Sequence, residues 1–462
     1  MMNKYDSKIT ISAAASSLKG TIRCPGDKSI SHRALMIGGL AVGPTRIEGL
    51  LEAEDVLNTA KAMAALGVGI KQANSLDGLH IWTVDGRGVG GLIEPVTVLD
   101  LGNSGTGARL LLGLLASHSF SAVVTGDASL SRRPMERVTA PLTLMGASFE
   151  SRQGGFMPIT VRGADDPLAM VYHSPVASAQ VKSAILLAGL NARGATTVIE
   201  PAPTRDHTET MLRHFGAEVV TQAVDGNPSA SSVTVIGLPE MRGQTVIVPG
   251  DPSSAAFLVV AALITENSDI TIQNVGLNPL RTGLYDTLAD MGGDISIMNR
   301  RNVAGELVGD LRIRSSRLFG KVVPAARAPS MIDEYPILAV AAACAEGDTR
   351  MEGLSELKVK ETDRLAAIVG GLSACGVEAA IDKDILTVKG QSGPVPGGAI
   401  VPVHLDHRIA MSFLVLGMVA DKPIGVDDVD AITTSYPDFI SHMDQLGASL
   451  TKVKTSDLGS FL

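Results

Sequence analysis

The sequence predicts an α/β protein made of six similar repeat units arranged in two triplets. Three observations support this prediction. A polar turn followed by an apolar helical stretch occurs six times along the 462 residues. A second helical stretch in each unit ends at a glycine, and the units recur about every 75 residues. The chain is 45% hydrophobic but only 3% aromatic, which suits helices of small and aliphatic residues packed closely on sheets.

Residues 26–68 show the order of elements within one unit. A polar turn from Gly26 to Ser29 precedes an apolar helical stretch over residues 34–40. A short alternating strand over residues 45–49 follows, and a second helical stretch begins at about Glu54. That stretch ends at Gly67, and glycine just past the last helical residue is a typical C-cap. The chain then returns to strand-like segments.

The same order of elements recurs five more times. The glycines that end the second helical stretches are Gly67, Gly146, Gly216, Gly292, Gly376 and Gly447. The polar openings are Gly26-Asp27, Gly102-Asn103, Ser178-Ala179-Gln180, Gly250-Asp251, Asp333-Glu334 and Asp406-His407. The alternative is six generic α/β segments with no shared function. That alternative would not explain why a polar opening and a helix-ending glycine both recur in every unit. The boundary between the triplets is predicted near residues 246–250.

Composition and charge exclude several classes of function. The net charge is −9 and no long basic run occurs, which argues against a nucleic-acid partner. The three cysteines are widely spaced and suggest neither a disulfide framework nor a zinc site. Residues 1–10 are polar, and the longest apolar run, residues 409–420, is too short to span a membrane. We therefore expect a soluble, cytoplasmic protein without membrane contact. A monomer is also expected, although none of these observations bears on oligomeric state.

The polar openings are candidate anion sites. A helix N-terminus presents unpaired N–H groups and the positive end of the helix dipole, so it favours phosphate or carboxylate. Lys28 and Arg33 accompany the first opening, and Arg408 follows the sixth. The glycines of residues 102–107 would let an anion approach the backbone closely. Each motif alone is weak, because a glycine-rich turn before a helix is more often only a turn.

Further cations lie outside the openings. Arg133 precedes a proline, and Arg205 lies in the motif Arg-Asp-His-Thr-Glu. Lys360 and Arg364 are four residues apart, which predicts that both lie on one face of a helix. Glu361 between them is either a functional carboxylate or an ordinary surface residue paired to a neighbour.

These motifs together resemble those of the 3-phosphoshikimate 1-carboxyvinyltransferase (EPSP synthase) family, from about residue 10 to about residue 450. The matching motifs are Gly26-Asp27-Lys28-Ser29-Ile30-Ser31-His32-Arg33, residues 102–107, residues 130–135, Ser178-Ala179-Gln180, residues 360–365 and Asp406-His407-Arg408. The resemblance implies the enolpyruvyl-transferase fold, an inside-out α/β barrel with two similar domains of three βαβαββ units each. It places one domain at residues 25–248 and the other at residues 1–24 plus 249–462. The crossovers near Cys24 and Val248 would act as hinges that close over the substrates.

The resemblance also implies a reaction. The enolpyruvyl group of phosphoenolpyruvate is transferred to the 5-hydroxyl of shikimate 3-phosphate with release of phosphate, in chorismate and aromatic amino-acid biosynthesis. No metal or organic cofactor is expected. The residues that resemble shikimate 3-phosphate ligands are Lys28, Ser29, Arg33, Ser178, Ala179, Gln180, Arg205, Asp333 and Lys360. Those that resemble phosphoenolpyruvate ligands are Lys28, Gly105, Arg133, Gln180, Arg364 and Arg408. Asp333 and Glu361 resemble the proton-transfer pair, with Lys28 assisting at the leaving phosphate.

Two motifs resemble the second class of this family, which is noted for tolerance to the inhibitor glyphosate. They are Ser178-Ala179-Gln180-Val181-Lys182 and Arg205-Asp206-His207-Thr208-Glu209. The chain departs from that class at Gly105, where the class carries Ala, and at Leu280, where it carries Thr. Thr434 stands where the first class has a lysine that contacts phosphoenolpyruvate. We therefore expect greater sensitivity to glyphosate than in second-class relatives.

Two alternative functions are weighed against this interpretation. The sister enolpyruvyl transferase of cell-wall synthesis acts on a nucleotide sugar, but its first motif reads Lys-Asn where this chain has Lys28-Ser29. It also uses a loop cysteine, and Cys24 and Cys375 lie in the wrong places for that loop. A non-catalytic anion-binding scaffold would explain the cationic openings but not the carboxylates Asp333 and Glu361.

Overall fold

The structure, a computed structural model, describes residues 9–74 and 80–453. Helices and strands alternate through the described part of the chain. The α-helices are α1 (Lys28–Gly39), α2 (Glu54–Ala65), α3 (Gly105–Ala116), α4 (Glu136–Leu144), α5 (Ala179–Gly189), α6 (His207–His214), α7 (Pro252–Ile264), α8 (Gly283–Asp290), α9 (Tyr335–Cys344), α10 (Arg364–Ala374), α11 (His407–Gly417) and α12 (Phe439–Leu446). Short 3₁₀ helices cover Leu130–Arg132, Ala325–Ser330, Ser355–Val359 and Asp430–Thr434.

The strands are short, and each four-stranded sheet is formed by strands that lie next to one pair of helices in the fold. In chain order they are β1 (Thr10–Ala13), β2 (Lys19–Ile22), β3 (Pro44–Glu48), β4 (Gly69–Asn74), β5 (His80–Asp85), β6 (Leu99–Asp100), β7 (Ser121–Thr125), β8 (Ser148–Arg152), β9 (Phe156–Arg162), β10 (Val171–His173), β11 (Ala195–Glu200), β12 (Val219–Val224), β13 (Asn227–Ile236), β14 (Thr245–Ile247), β15 (Asp269–Gly276), β16 (Asp294–Val303), β17 (Glu306–Arg314), β18 (Val322–Val323), β19 (Asp348–Met351), β20 (Ala379–Asp382), β21 (Ile385–Lys389), β22 (Val395–Gly397), β23 (Ile400–Val401), β24 (Ala420–Lys422), β25 (Ile424–Val426) and β26 (Ser449–Lys452).

The described chain forms two compact bodies, here called the N lobe and the C lobe. The N lobe contains Gly26–Pro249 together with Asn302–Glu306. The C lobe contains the described residues up to Pro25, Gly250–Arg301 and residues 307–453. Each lobe has its own continuous apolar core.

Each lobe contains three four-stranded sheets with the same strand order. In every one, a first strand pairs parallel to a second, and two further strands pair antiparallel. The N-lobe sheets have the orders β14-β3-β5-β4, β6-β7-β9-β8 and β10-β11-β13-β12. The C-lobe sheets, written from the parallel pair, have the orders β2-β15-β17-β16, β18-β19-β21-β20 and β23-β25-β1-β26. The six predicted repeat units are therefore present as six equivalent sheets, each with its pair of helices.

Two strands explain how the chain passes between the lobes. Strand β2 leads into α1 of the N lobe, yet it pairs parallel to β15 in a C-lobe sheet. Strand β14 leads into α7 of the C lobe, yet it pairs parallel to β3 in an N-lobe sheet. The N-terminal segment is thus part of the C lobe, where β1 also pairs with β25 and β26.

The local signals at the helix ends are those that the sequence predicts. The six glycines after α2, α4, α6, α8, α10 and α12 all have positive φ, between 81° and 105°. This left-handed conformation, which most other residues avoid, ends each second helix. Helix α1 begins at Lys28 rather than near residue 34, because the Asp27 side chain accepts a hydrogen bond from the Ile30 amide and caps the helix early.

The first helix of each repeat lies in the core of its lobe. Helix α7 is buried at every position from Pro252 to Leu263, as expected for a helix that is apolar all round. Helix α3 packs on both α1 and α5, and α7, α9 and α11 pack on one another. Helices therefore form the interior of each lobe. In the described part of the chain, no helix has the length and apolar character needed to cross a membrane.

Candidate active site

All six polar openings lie at N-termini of these central helices. Five of the six N-cap residues accept a hydrogen bond from a backbone amide of the first turn, and the sixth, Glu334, does not cap through its side chain. The five are Asp27, Ser104, Ser178, Asp251 and Asp406. Such caps satisfy some of the unpaired N–H groups and leave the positive end of the helix dipole in place.

In the N lobe, the first turns of three helices touch one another. Gln180 in α5 accepts a hydrogen bond from Arg109 Nη1 at 2.8 Å and donates one to Thr106 Oγ1 at 3.0 Å, both in α3. His32 in α1 hydrogen-bonds Ser104, the N-cap of α3, at 3.3 Å. The fold therefore brings the predicted residues Gly105 and Gln180 together, although 75 positions separate them in the sequence.

Lys28 and Arg33 emerge from α1 into different surroundings. Lys28 Nζ is 3.0 Å from Asp55 Oδ2 of α2, and the lysine keeps part of its surface exposed. Arg33 is buried, and it donates to the Ser29 carbonyl at 2.9 Å, to Ser183 Oγ at 2.8 Å and to Thr208 Oγ1 at 2.7 Å. Arg33 thus joins three helices, whereas Lys28 is the more accessible cation for a ligand.

Arg133 lies beside the start of α3. It follows the 3₁₀ helix Leu130–Arg132, and its Nη2 donates to Ser129 Oγ at 3.0 Å and to the Asn103 side chain. A Cβ added at Gly105 would lie 2.9 Å from Arg133 Nη1. The structure therefore brings the predicted phosphoenolpyruvate residues Gly105 and Arg133 into contact distance.

Ser178, Ala179 and Arg205 complete the predicted N-lobe residues. Ser178 is the N-cap of α5 and accepts a hydrogen bond from the Val181 amide at 3.4 Å, and Ala179 begins the helix. Both residues are partly exposed. Arg205 is partly exposed in the segment between β11 and α6.

The C lobe holds a cluster of two cations and two carboxylates. Asp333 Oδ1 accepts from Lys360 Nζ at 3.0 Å and from Arg364 Nη1 at 3.3 Å. Arg364 Nη2 donates to Glu361 Oε2 at 2.5 Å. Asp333 is 27 residues before Lys360, so only the tertiary structure makes this cluster.

The predicted shared helical face of Lys360 and Arg364 is wrong. Lys360 ends the 3₁₀ helix Ser355–Val359, and Asp363 caps α10, which begins only at Arg364. The two residues nevertheless meet at Asp333 Oδ1, because the turn between the helices directs both side chains to the same carboxylate.

Arg364 is the most enclosed cation of the C lobe, with 1% of its side chain exposed. Its Nε donates to Asp406 Oδ2 at 2.8 Å, in addition to its contacts with Glu361 and Asp333. Burial by itself lowers the pKa of Arg364, but the carboxylates of Asp406, Glu361 and Asp333 outweigh it and raise that pKa. The guanidinium therefore stays charged in a buried setting.

Arg408 joins α11 to the start of α9. Its Nη1 donates to the Asp333 carbonyl at 3.0 Å and to Glu334 Oε1 at 3.3 Å. The backbone of Asp333 thus contacts one predicted phosphoenolpyruvate residue, Arg408, while its carboxylate contacts another, Arg364. The structure brings together all five predicted C-lobe residues.

Three site residues were missed by sequence analysis. Arg109 lies one turn after Gly105 on the same face of α3, so helical spacing could have indicated it. Asn103 belongs to a motif that was noted only for its glycines, yet it holds Arg133. Asp55 lies in the first turn of α2, where an acidic residue is common at any helix, so no local signal marks it as the partner of Lys28.

His32 is a fully buried residue between α2 and α3. Its Nδ1 hydrogen-bonds Thr59 Oγ1 at 2.8 Å and its Nε2 faces Ser104 Oγ. Burial, and then the positive charges of Lys28 and Arg33, hold the pKa of His32 well below its ordinary value. The folded protein therefore keeps this imidazole neutral.

This gives an expected pH dependence of stability. The unfolded chain binds a proton at His32 below about pH 6.5, whereas the folded protein binds it only at a much lower pH. Between these two pKa values, the free energy of unfolding decreases by about 1.4 kcal/mol for each unit by which the pH is lowered. The His32→Gln variant lacks this contribution. Denaturant unfolding at pH 7.5 and pH 5.5 should show a smaller loss for the variant than for the unmodified protein. Equal losses would show that His32 does not titrate in this way.

Comparison with known proteins identifies the family. The family model described as EPSP synthase (3-phosphoshikimate 1-carboxyvinyltransferase) matches residues 13–443. The chain belongs to the EPSP synthase family. A 3-phosphoshikimate 1-carboxyvinyltransferase from Rhodospirillum rubrum is 59% identical over 94% of this chain and 96% of the relative. One from Paramagnetospirillum magneticum is also 59% identical, over 95% of this chain and 97% of the relative.

Solved structures agree with this family. The EPSP synthase from Acinetobacter baumannii superposes with a TM-score of 0.83 at 42% identity, over 96% of this chain and 99% of that one. The enolpyruvyl transferase NikO from Streptomyces tendae shares the fold, with a TM-score of 0.75 at 18% identity, over 97% of this chain and 100% of that one. The predicted fold class and family are confirmed. The predicted activity, enolpyruvyl transfer from phosphoenolpyruvate to shikimate 3-phosphate in aromatic biosynthesis, is confirmed with them.

Proposed function

We propose that this member of the EPSP synthase family binds shikimate 3-phosphate chiefly through the N lobe and transfers protons through the C-lobe cluster. The single observation that carries the proposal is the cluster of Asp333, Lys360, Glu361 and Arg364 within ion-pair distance. An anion-binding scaffold has no need for carboxylates among its cations, since they repel the ligand. An enolpyruvyl transfer needs them, because the attacking hydroxyl loses a proton, and the methylene carbon gains a proton on addition and gives one back as phosphate leaves.

The N lobe supplies the phosphate-binding groups in this proposal. Lys28, Ser29 and Arg33 belong to α1. Ser178, Ala179 and Gln180 form the start of α5, and Arg205 lies two residues before α6. Helix N-termini and arginine side chains both favour phosphate. Arg33 is buried among Ser29, Ser183 and Thr208, so we assign it mainly to holding these helices in place around the phosphate.

Six residues are proposed as phosphoenolpyruvate ligands, as the resemblance to the EPSP synthase family implies. On the N lobe these are Lys28, Gly105, Arg133 and Gln180, three of which adjoin the start of α3. On the C lobe they are Arg364 and Arg408. Planar guanidinium groups match carboxylate and phosphate oxygens in pairs, and two anions must be neutralised before they can react.

The contact between Arg364 and Glu361 suggests how the proton donor is prepared. Ion pairing favours the charged form of a carboxylate, so a carboxylate that must donate a proton has to leave its arginine. If the carboxylate of phosphoenolpyruvate takes the place of Glu361 at Arg364 Nη2, the displaced side chain becomes free to carry a proton to the methylene carbon. Asp333 accepts the hydroxyl proton, and Lys28 assists at the leaving phosphate.

Turnover is expected to be independent of a metal ion. In the residues that the structure describes, no group of three or more His, Cys, Asp and Glu side chains is arranged to hold one. Purified protein given shikimate 3-phosphate and phosphoenolpyruvate should release phosphate at an unchanged rate in the presence of a chelator. A nucleotide sugar offered instead of shikimate 3-phosphate should release none.

Two outcomes would contradict this assignment. Complete loss of turnover in chelator, restored by a divalent ion, would show that the reaction requires a metal. Phosphate release with the nucleotide sugar alone would assign the chain to the sister activity. Inhibition by glyphosate, the monomeric state and the cytoplasmic location stay predictions.

A further inference from the structure

A buried ion cluster lies directly behind the start of α5. Lys182 in α5 has only 2% of its side chain exposed, and its Nζ is 2.7 Å from Glu209 Oε1 and 2.8 Å from Glu200 Oε2. Both glutamates are 1% exposed. One ammonium group is thus enclosed with two carboxylates, well away from solvent.

The cluster joins the two segments that carry predicted phosphate ligands. Lys182 follows Gln180 by two residues, and Lys182 Nζ also donates to the Thr204 carbonyl at 3.2 Å. Thr204 immediately precedes Arg205, and the Thr204 hydroxyl donates to Glu200 at the end of β11. A single side chain therefore connects the first turn of α5 to the backbone that positions Arg205.

A second layer of contacts runs beside the first. Ser183 and Thr208, the sequence neighbours of Lys182 and Glu209, hydrogen-bond each other at 2.7 Å. Both also accept hydrogen bonds from Arg33 of α1. Helices α5 and α6 are thus joined by two adjacent polar pairs, Lys182–Glu209 and Ser183–Thr208. Arg33, which donates to the second pair, is itself a predicted ligand.

The ammonium charge of Lys182 is retained in spite of its burial. Burial lowers the pKa of Lys182, but Glu209 and Glu200 outweigh it and raise that pKa. Burial raises the pKa of Glu209 although Lys182 opposes this. Apolar side chains of similar volume are often as stabilising as a buried ion pair, so packing alone does not require these charges. Directional bonds that fix one arrangement of the α5 and α6 segments do require them.

We propose that Lys182, held by Glu200 and Glu209, is a positioning residue for shikimate 3-phosphate. It sets the separation between Ser178–Gln180 and Arg205, so that both segments can hold the same phosphate. This inference rests on the proposed function of those residues as phosphate ligands. It predicts that loss of Lys182 weakens the binding of shikimate 3-phosphate more than the binding of phosphoenolpyruvate.

The test compares Lys182→Met with Val198→Ala. Val198 is a fully buried apolar residue of β11, in the same sheet region, and its truncation lowers stability without altering any polar contact. Both variants are assayed well below their melting temperatures, with KM measured for each substrate. Lys182→Met should raise KM for shikimate 3-phosphate about 10-fold or more, and KM for phosphoenolpyruvate by a smaller factor. Val198→Ala should change the melting temperature alone.

The double variant Lys182→Met/Glu209→Gln covers the case in which Lys182→Met does not fold. It replaces Lys182 and one of its two carboxylate partners together, so only Glu200 is left as a buried carboxylate without the lysine. A raised KM for shikimate 3-phosphate in this folded double variant supports the positioning role. An unchanged KM with only a lowered melting temperature overturns that role and makes the cluster purely structural.

Arg205→Ala separates failure of this inference from failure of the proposed function. If Arg205→Ala leaves KM for shikimate 3-phosphate unchanged, the assignment of Arg205 is overturned and this inference with it. If Arg205→Ala raises that KM while the Lys182 variants do not, the inference alone is overturned. Raised KM values in both support it.

Discussion

Asp333→Asn and Glu361→Gln should each lower kcat by about 100-fold or more, the scale of a lost general acid or base. Both substitutions keep the size and shape of the side chain, so the fold should survive. Asp333→Asn weakens the contacts with Lys360 and Arg364, and Glu361→Gln removes the charge that Arg364 Nη2 binds. We therefore expect changes in KM as well, but smaller than the change in kcat.

The measurement is steady-state phosphate release, with a melting temperature for each variant. Glu352→Gln is the matched control, since Glu352 is a carboxylate of the same lobe in an exposed ion pair with Arg350. Exposed pairs contribute little, so this variant should behave as the unmodified protein. Near-normal turnover in both Asp333→Asn and Glu361→Gln would show that other groups transfer the protons.

Gly105→Ala should lower affinity for glyphosate more than affinity for phosphoenolpyruvate. A Cβ at this position would lie 2.9 Å from Arg133 Nη1 and 3.2 Å from Arg109 Nη1. Both atoms are ends of long side chains, so the fold can adapt while the space beside the two guanidinium groups shrinks. Glyphosate is longer than phosphoenolpyruvate and meets the methyl group first. A steric cost of about 1–3 kcal/mol corresponds to roughly a 5- to 150-fold loss of affinity.

Inhibition constants against phosphoenolpyruvate, measured for both proteins, check this result. Gly370→Ala is the control, because an added Cβ there has no heavy atom within 4 Å. That variant should keep the same inhibition, with a small gain in helix stability. The competing view is that Arg205 and its neighbours already exclude glyphosate. Resistance of the unmodified protein, unchanged by Gly105→Ala, would decide for that view.

The sequence by itself determined which polar turns open the repeats and where each second helix ends. The six polar openings lie at the starts of the central helices, and glycine marked the end of each second helix. These signals are readable because a cap acts on amides only two or three residues away. Several family motifs coincide with these helix starts, so most of the proposed site residues lie at the same positions.

Only the tertiary structure decided which of those residues meet. Lys360 and Arg364 do not share a helical face, yet both contact Asp333, which lies 27 and 31 residues away in sequence. Arg109 reaches Gln180 across 71 residues, and Lys182 meets Glu209 in a cluster that neither motif indicates alone. The reason is physical: caps and turns depend on neighbours along the chain, whereas ion pairs depend on how apolar helices pack and bring their N-terminal turns together.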